Sequence, residues 1–254
     1  MRPGNHASEP PSLAVFAREE ELQALRKRLQ GRQSFLFYGP AGVGKTLLLQ
    51  RAIAEHEGIL YSAQNHSPQI LYRNLARGLL SLQNPVLVRA CRNKAASIQE
   101  KTFVAIKGLV HDALRGAHFV VVLDHLARPS QALASCVREL MLGLGVSVVA
   151  VARSTHMEDA GFVLPLFPDR SERLALRNFD PATARRFAAA AAQNEGVTAE
   201  NLGQFLDRVV EYSEGNPGAM LQMVRMAKAP KYAHDQRIKI TPLYLDYRIA
   251  TVTR

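Results

Sequence analysis

Short apolar runs alternate with amphipathic stretches through residues 13–177, a pattern that predicts buried strands separated by helices. Residues 35–38, 59–62, 119–124, 146–153 and 172–176 read as five strands, each bounded by turn-forming or polar residues. Between them the helical period returns. Leu22, Leu25 and Leu29 share one face of a helix ended by Gly31, and further helices are expected over 46–53 and 68–81. Ser97-Ile98-Gln99-Glu100 has the form of a capping box, so a single helix is expected from there to Arg115, followed by another over 131–142. Asn84-Pro85 reads as an interruption.

The pattern changes at Phe179. Asp180-Pro181 and Asn216-Pro217 each pair a capping side chain with a first-turn proline, and Thr198 opens a helix between them. Three consecutive helices, over about 180–194, 198–212 and 216–228, therefore follow the alternating region. The fold class is α/β: a parallel five-stranded core over 13–177 with a small helical lid over 178–228. Residues 1–12, rich in proline, glycine and serine, predict a flexible arm. For the extension 229–254, the segments 238–240 and 244–249 fit either a strand pair or an extension wrapping the lid.

Composition narrows the setting. With 254 residues and 47% hydrophobic content the chain can bury a full core. No apolar run approaches the roughly 20 residues of a spanning helix, and the N-terminus lacks the apolar segment of a secretory signal, so no membrane insertion and a cytoplasmic location are expected. Cys91 and Cys136 form no close pair and read as free thiols, and the eight histidines show no metal-ligand spacing. The formal net charge of +10 is the compositional outlier and favours an acidic partner such as nucleic acid.

The candidate chemistry lies between the first strand and its helix. Gly39-Pro40-Ala41-Gly42-Val43-Gly44-Lys45-Thr46 fits the phosphate-loop pattern G-x-x-x-x-G-K-[ST], with Leu47 continuing the helix. Glycines let the backbone turn its N–H groups toward a phosphate chain at a helix N-terminus. Lys45 is placed to reach the β- and γ-phosphates and Thr46 to offer its hydroxyl to magnesium, so ATP with Mg2+ is the expected ligand. The strand 119–124 ends on Asp124, which delivers a carboxylate to the sheet edge.

Taken together, these segments make residues 14–228 resemble the AAA-plus and STAND superclass of P-loop ATPases, in particular archaeal-type ATPases and origin-recognition initiators. Phe16-Ala17-Arg18-Glu19-Glu20-Glu21-Leu22 is similar to that group's opening "GRE-x-EL" motif, with Ala17 where glycine is common. The resemblance implies that Asp124 is the Walker B aspartate and a magnesium ligand, and that Arg153 occupies the sensor position after the fourth strand. It implies that Gly215-Asn216-Pro217 is the lid's G-x-P motif, with Pro217 near the base. It also makes Arg170 and Arg173, before the fifth strand, candidates for an arginine finger. One departure stands out. Where hydrolysing members carry an acidic residue after the Walker B aspartate, this chain has His125. A neutral imidazole accepts a proton and a protonated one does not, so slow hydrolysis or hydrolysis only on assembly is expected.

The resemblance therefore implies an ATP-binding molecular switch or weak ATPase that couples nucleotide state to core-lid orientation and to self-association through an arginine finger. Two rivals remain: a DNA-associated ATPase such as a transposition helper or initiator-like loader, favoured by charge, and a non-hydrolysing nucleotide-binding scaffold, favoured by His125. The protein partner is not named by the sequence.

Overall fold

Three of the strands are almost wholly apolar, and only a parallel sheet covered on both faces buries such runs without stranding their backbone groups. In the computed structural model, which describes residues 13–63, 65, 67–92 and 94–252, they form one five-stranded sheet. Its strands are β1 (Phe35–Tyr38), β2 (Ile59–Ser62), β3 (Val120–Leu123), β4 (Ser147–Ala152) and β5 (Arg173–Ala175), in the order β2-β3-β4-β1-β5 and all parallel. Phe35 pairs with Val149, Val120 with Ser147 and Ile59 with Val120, so the ends of β2, β3 and β4 come into line. The expected flexible arm, residues 1–12, lies outside the described residues.

The helices before the lid are α1 (Glu19–Gln30), α2 (Lys45–Ile53), α3 (Pro68–Ser81), α4 (Pro85–Cys91), α5 (Ala96–Glu100), α6 (Phe103–Leu114) and α7 (Gln131–Arg138). Ser67 caps α3 by accepting from the Ile70 amide, and Ser130 caps α7 through the Leu133 amide. Two sequence expectations are revised here. The helix expected over 97–115 is two helices, because Thr102 caps α6 at the Ala105 amide and Lys101 is extended. The Asn84-Pro85 pair does not merely interrupt: Asn84 accepts from the Val86 amide and starts α4, with Pro85 in its first turn. After Arg138 the chain widens into a π-helical turn over Glu139–Gly143 before entering β4.

The chain divides into two compact units. One holds residues 20–40 and 48–176, and its core runs from Leu36, Leu60, Val121 and Val148 out to Tyr72, Leu79 and Phe167. The other holds the described residues 13–19, 41–47 and 177–252, so that the phosphate loop from Ala41 onward belongs to the same unit as the lid helices. These are α8 (Pro181–Asn194), α9 (Leu202–Ser213) and α10 (Pro217–Met226), built around Phe187, Phe205, Met220 and Met223. The second lid helix starts at Leu202 and not at Thr198, because Asn201 turns its side chain to both backbone groups of Ile238.

The C-terminal extension resolves into a tiny hairpin, β6 (Ala233–His234) with β7 (Arg237–Ile238), and a helix, α11 (Ile240–Val252), packed on α9 and α10. Leu243 is buried and Tyr244 stacks on Tyr212 with ring centroids 3.9 Å apart, which fixes the segment as a helix where the sequence left strand and wrap open.

The opening segment carries a local strain. Phe16 packs edge-on against Phe179 and Phe187, Arg18 lies 4.3 Å over the Phe179 ring and donates to the Arg177 carbonyl, and both leave the chain to reverse at Ala17. Ala17 pays with φ of 50°, a region that costs an L-residue about 1–2 kcal/mol and glycine almost nothing. Replacing Ala17 by glycine is therefore expected to raise stability by about 0.5–1 kcal/mol after the entropy of the freer unfolded chain is subtracted, about 1–4 °C in melting temperature. A thermal melt by circular dichroism checks it; a lower midpoint would show that the strain is not released.

Candidate functional site

In the unit that contains the lid, the phosphate loop has the backbone its motif demands. Gly42 and Gly44 both have positive φ, 78° and 101°, the alternation that turns successive N–H groups into an anion-binding concavity. A Cβ on Gly44 would meet nothing within 4 Å, so this glycine answers to backbone geometry alone. Val43 is buried and anchors the turn, while Lys45 and Thr46 are half-buried at the first turn of α2. This donor array, ending on a lysine and a hydroxyl, fits a nucleotide's phosphates and a magnesium ion.

The lid meets this loop directly. Asn216 caps α10 by accepting from the Ala219 amide, and its Nδ2 donates to the Ala41 carbonyl at 2.9 Å and to Asn178 Oδ1 at 3.2 Å. The Gly218 amide donates to the Gly42 carbonyl at 2.9 Å. Pro217, singled out in the sequence, is the first residue of α10, between these two contacts.

In the other unit, the end of β3 is organised around Asp124, which is 1% exposed. Its Oδ1 accepts from the His125 amide at 2.8 Å and its Oδ2 from the Tyr61 hydroxyl at 2.5 Å. Burial, and then the hydrogen bond to Asp124, push the Tyr61 phenol above its ordinary range, so that hydroxyl keeps its proton and remains a donor. Asn65, 3% exposed, ties the two strand ends together by donating to the Ser62 and Asp124 carbonyls at 3.0 and 2.9 Å. Those two acceptors fix its amide orientation, and its Oδ1 has no partner among the described residues. Asn74 secures Ser62 in turn, at 3.0 Å.

His125 follows with φ of 55°, a left-handed turn held by the bond from its amide to Asp124. Its side chain is 65% exposed with Nε2 3.6 Å from Asp124 Oδ2, so an imidazole stands in solvent reach beside the buried carboxylate. Arg153 immediately follows β4 and is exposed at the same edge of the sheet as Asp124. Arg170 and Arg173 lie at the opposite, amino-terminal end of β5. Arg173 donates to the Phe167 and Pro168 carbonyls at 2.8 and 3.1 Å and braces its own loop, whereas Arg170 is exposed.

The structure thus gathers Ala41–Leu47 with Asn178 and Gly215–Gly218 in one unit, and Asp124 with Tyr61, Asn65 and His125 in the other. Tyr61, Asn65, Asn178 and Gly218 carry no motif of their own. Of the basic residues toward the C-terminus, Arg225 and Lys228 both bind Glu195, at 2.8 and 3.0 Å, and Lys231 binds Asp246 at 2.6 Å. Arg237, Lys239 and Arg248 are exposed, and Arg254 lies outside the described residues.

A parallel sheet of this order, a phosphate loop opening the helix after β1 and a buried aspartate ending β3 define a P-loop nucleotide-binding protein. Residues 14–151 match the AAA ATPase domain family, and the chain belongs to it. Among solved structures it is similar to a Walker-type ATPase of Pyrococcus abyssi, with 14% identity, a TM-score of 0.64, and coverage of 94% of this chain and 74% of that one. It is similar to the Orc1 protein of Aeropyrum pernix, solved in complex with DNA, with 20% identity and a TM-score of 0.58 over 92% of this chain and 65% of that one. Cdc6p of Pyrobaculum aerophilum gives 16% identity and a TM-score of 0.59 over 87% and 62%. This chain therefore spans less than two thirds of either of these last two proteins, and at these identities the likeness is one of fold. No curated protein sequence matches it. Among the described residues, no helix is long and apolar enough to cross a membrane.

Proposed function

We propose that this AAA ATPase is a nucleotide-dependent molecular switch with weak ATPase activity. The observation that carries the reading is the direct hydrogen bonding of the lid turn to the phosphate loop, at Ala41 and Gly42, which gives nucleotide state a route to the lid. Lys45 and the loop amides hold phosphate, Thr46 and Asp124 hold magnesium, Arg153 senses the γ-phosphate, and Pro217 borders the base. Magnesium, when bound, neutralises charge developing on the phosphates. His125 takes the place beside Asp124 where a stronger base accelerates hydrolysis, and this supports slow turnover. Arg170, the exposed member of the arginine pair, is the better candidate to reach the nucleotide of a second copy, so ATP is expected to promote self-association.

The second reading is a DNA-associated ATPase, and the +10 charge favours it, as does the likeness in fold to an Orc1 protein solved in complex with DNA. Pairing of Arg225 and Lys228 with Glu195 in the lid, and of Lys231 with Asp246 in the extension, weakens it. Steady-state ATP turnover with and without duplex and single-stranded DNA separates the readings. The switch is expected to turn over slowly and independently of DNA, and His125→Glu is expected to be several-fold faster because a carboxylate accepts the proton of the attacking water. Stimulation by DNA in a salt-sensitive manner would install the second reading. No turnover in either protein would leave a non-hydrolysing scaffold.

A further inference from the structure

The phosphate-loop motif requires glycine at positions 39 and 44 and leaves position 42 open, yet position 42 is Gly42. Its φ of 78° already favours glycine, and the lid adds a second reason. A Cβ on Gly42 would sit 2.7 Å from Asn216 Oδ1, and one on Gly218 would sit 2.8 Å from the Gly42 carbonyl oxygen and 2.9 Å from its Cα. Loop and turn are thus in backbone contact through a pair of glycines, and two carbonyls of the loop are held by the turn: Ala41 by Asn216 Nδ2, Gly42 by the Gly218 amide. The capping bond from Ala219 to Asn216 Oδ1 fixes which end of that amide faces the loop. Asn178 lies behind it, accepting from Asn216 and donating to the Glu214 carbonyl, so the latch is anchored at both ends of the turn between α9 and α10.

Peptide planarity gives these contacts a consequence at the phosphates. In a trans peptide the C=O and the N–H of the next residue point in opposite directions, and no cis bond is present among the described residues. Holding the carbonyls of Ala41 and Gly42 toward the lid turns the amides of Gly42 and Val43 away from it. The lid turn therefore sets two donors of the loop without touching a ligand. We propose that Asn216 and Gly218, supported by Asn178, are positioning residues for nucleotide: a latch through which a seated lid raises ATP affinity and a displaced lid lowers it. This rests on the switch reading above and specifies how the lid acts.

Two variants separate the latch from ordinary helix chemistry. Asn216→Asp keeps a side-chain oxygen for the Ala219 amide, and aspartate caps as well as asparagine, but the donor to Ala41 is gone. Gly218→Ala improves the intrinsic helix propensity of α10, so without a latch it is neutral or stabilising. With a latch, its methyl group displaces Gly42. Binding of a fluorescent ATP analogue to the full chain is expected to weaken about tenfold in each variant, with the unliganded melting temperature of Asn216→Asp within about 3 °C of the parent. Hydrogen exchange at Gly218 is expected to speed up in Asn216→Asp, because its partner carbonyl moves. Equal affinity in parent and variants overturns the latch, and so does an Asn216→Asp melting temperature that falls in proportion to affinity, which marks a merely structural role. If the parent itself does not bind the analogue, the ATP reading fails, and exchange at Gly218 then decides the latch alone: faster exchange in Asn216→Asp supports it, unchanged exchange overturns it.

Discussion

Lys45→Ala is expected to lose at least a hundredfold in ATP affinity while keeping the parent's fold. The ammonium stands at the first turn of α2, directly after a loop whose positive-φ glycines orient its amides for an anion. A charge-assisted hydrogen bond contributes about 1.5–3 kcal/mol, and the loss of two, one to each of two phosphates, is about 3–6 kcal/mol. At about 1.4 kcal/mol per factor of ten, the lower end already exceeds a hundredfold. The fold should survive, since Lys45 is half-buried and lies at the start of its helix, where alanine is well tolerated. Isothermal titration of parent and variant, each with a melting curve, checks this. A variant that binds within threefold of the parent would show that the loop does not receive the phosphate chain.

The second large effect is on stability. Gly215 has φ of 74°, and a Cβ there would lie 2.2 Å from the Phe179 carbonyl oxygen, with the Phe179 carbonyl carbon at 3.2 Å. The close approach is obligatory because the Phe179 amide donates to the Gly215 carbonyl at 3.0 Å, fastening the start of the lid to the turn before α10. Gly215→Ala has to push backbone from backbone in a conformation alanine disfavours. Left-handed strain of about 1–2 kcal/mol and overpacking of about 1–3 kcal/mol together give roughly 2–5 kcal/mol of destabilisation, about 4–20 °C in melting temperature for a chain of this size. Because Phe179 also carries Arg18 over its ring and Phe16 against its edge, the opening segment should loosen with it. Urea unfolding and limited proteolysis of the lid are the readouts. A midpoint unchanged from the parent would mean that Phe179 and Gly215 separate without cost.

How much of this was legible in the sequence follows from the range of the interactions concerned. The five strands stood out because buried parallel strands are short apolar runs, and the phosphate loop because its chemistry needs contiguous residues. Helix boundaries failed where two capping side chains competed. Ser97 opened an apparent capping box, but Thr102 holds the amide that starts α6, and Asn84 starts a helix that its proline seemed to forbid. The extension stayed open because Tyr244, Leu245, Tyr247 and Ile249 suit a strand as well as a helix, and the deciding contact, Tyr244 on Tyr212, is tertiary.

The candidate site divides in the same way. Asp124 announces itself by ending an apolar run, but its partner Tyr61 lies 63 positions away and Asn65 lies 59 from the carbonyl it holds. Asn216 reads as a helix cap, which it is. Its second bond, to Ala41, spans 175 positions and appears only once the chain is folded. The glycine at position 42 was a mixed signal, since its positive φ calls for glycine as much as the approach of Asn216 does.

Binding of radiolabelled ATP to the full chain by equilibrium dialysis, with and without magnesium, tests the nucleotide-binding claim most directly. The expected result is one ATP per chain, bound more tightly with magnesium than without and displaced by unlabelled ATP. An absence of saturable binding at millimolar ATP and magnesium would contradict it.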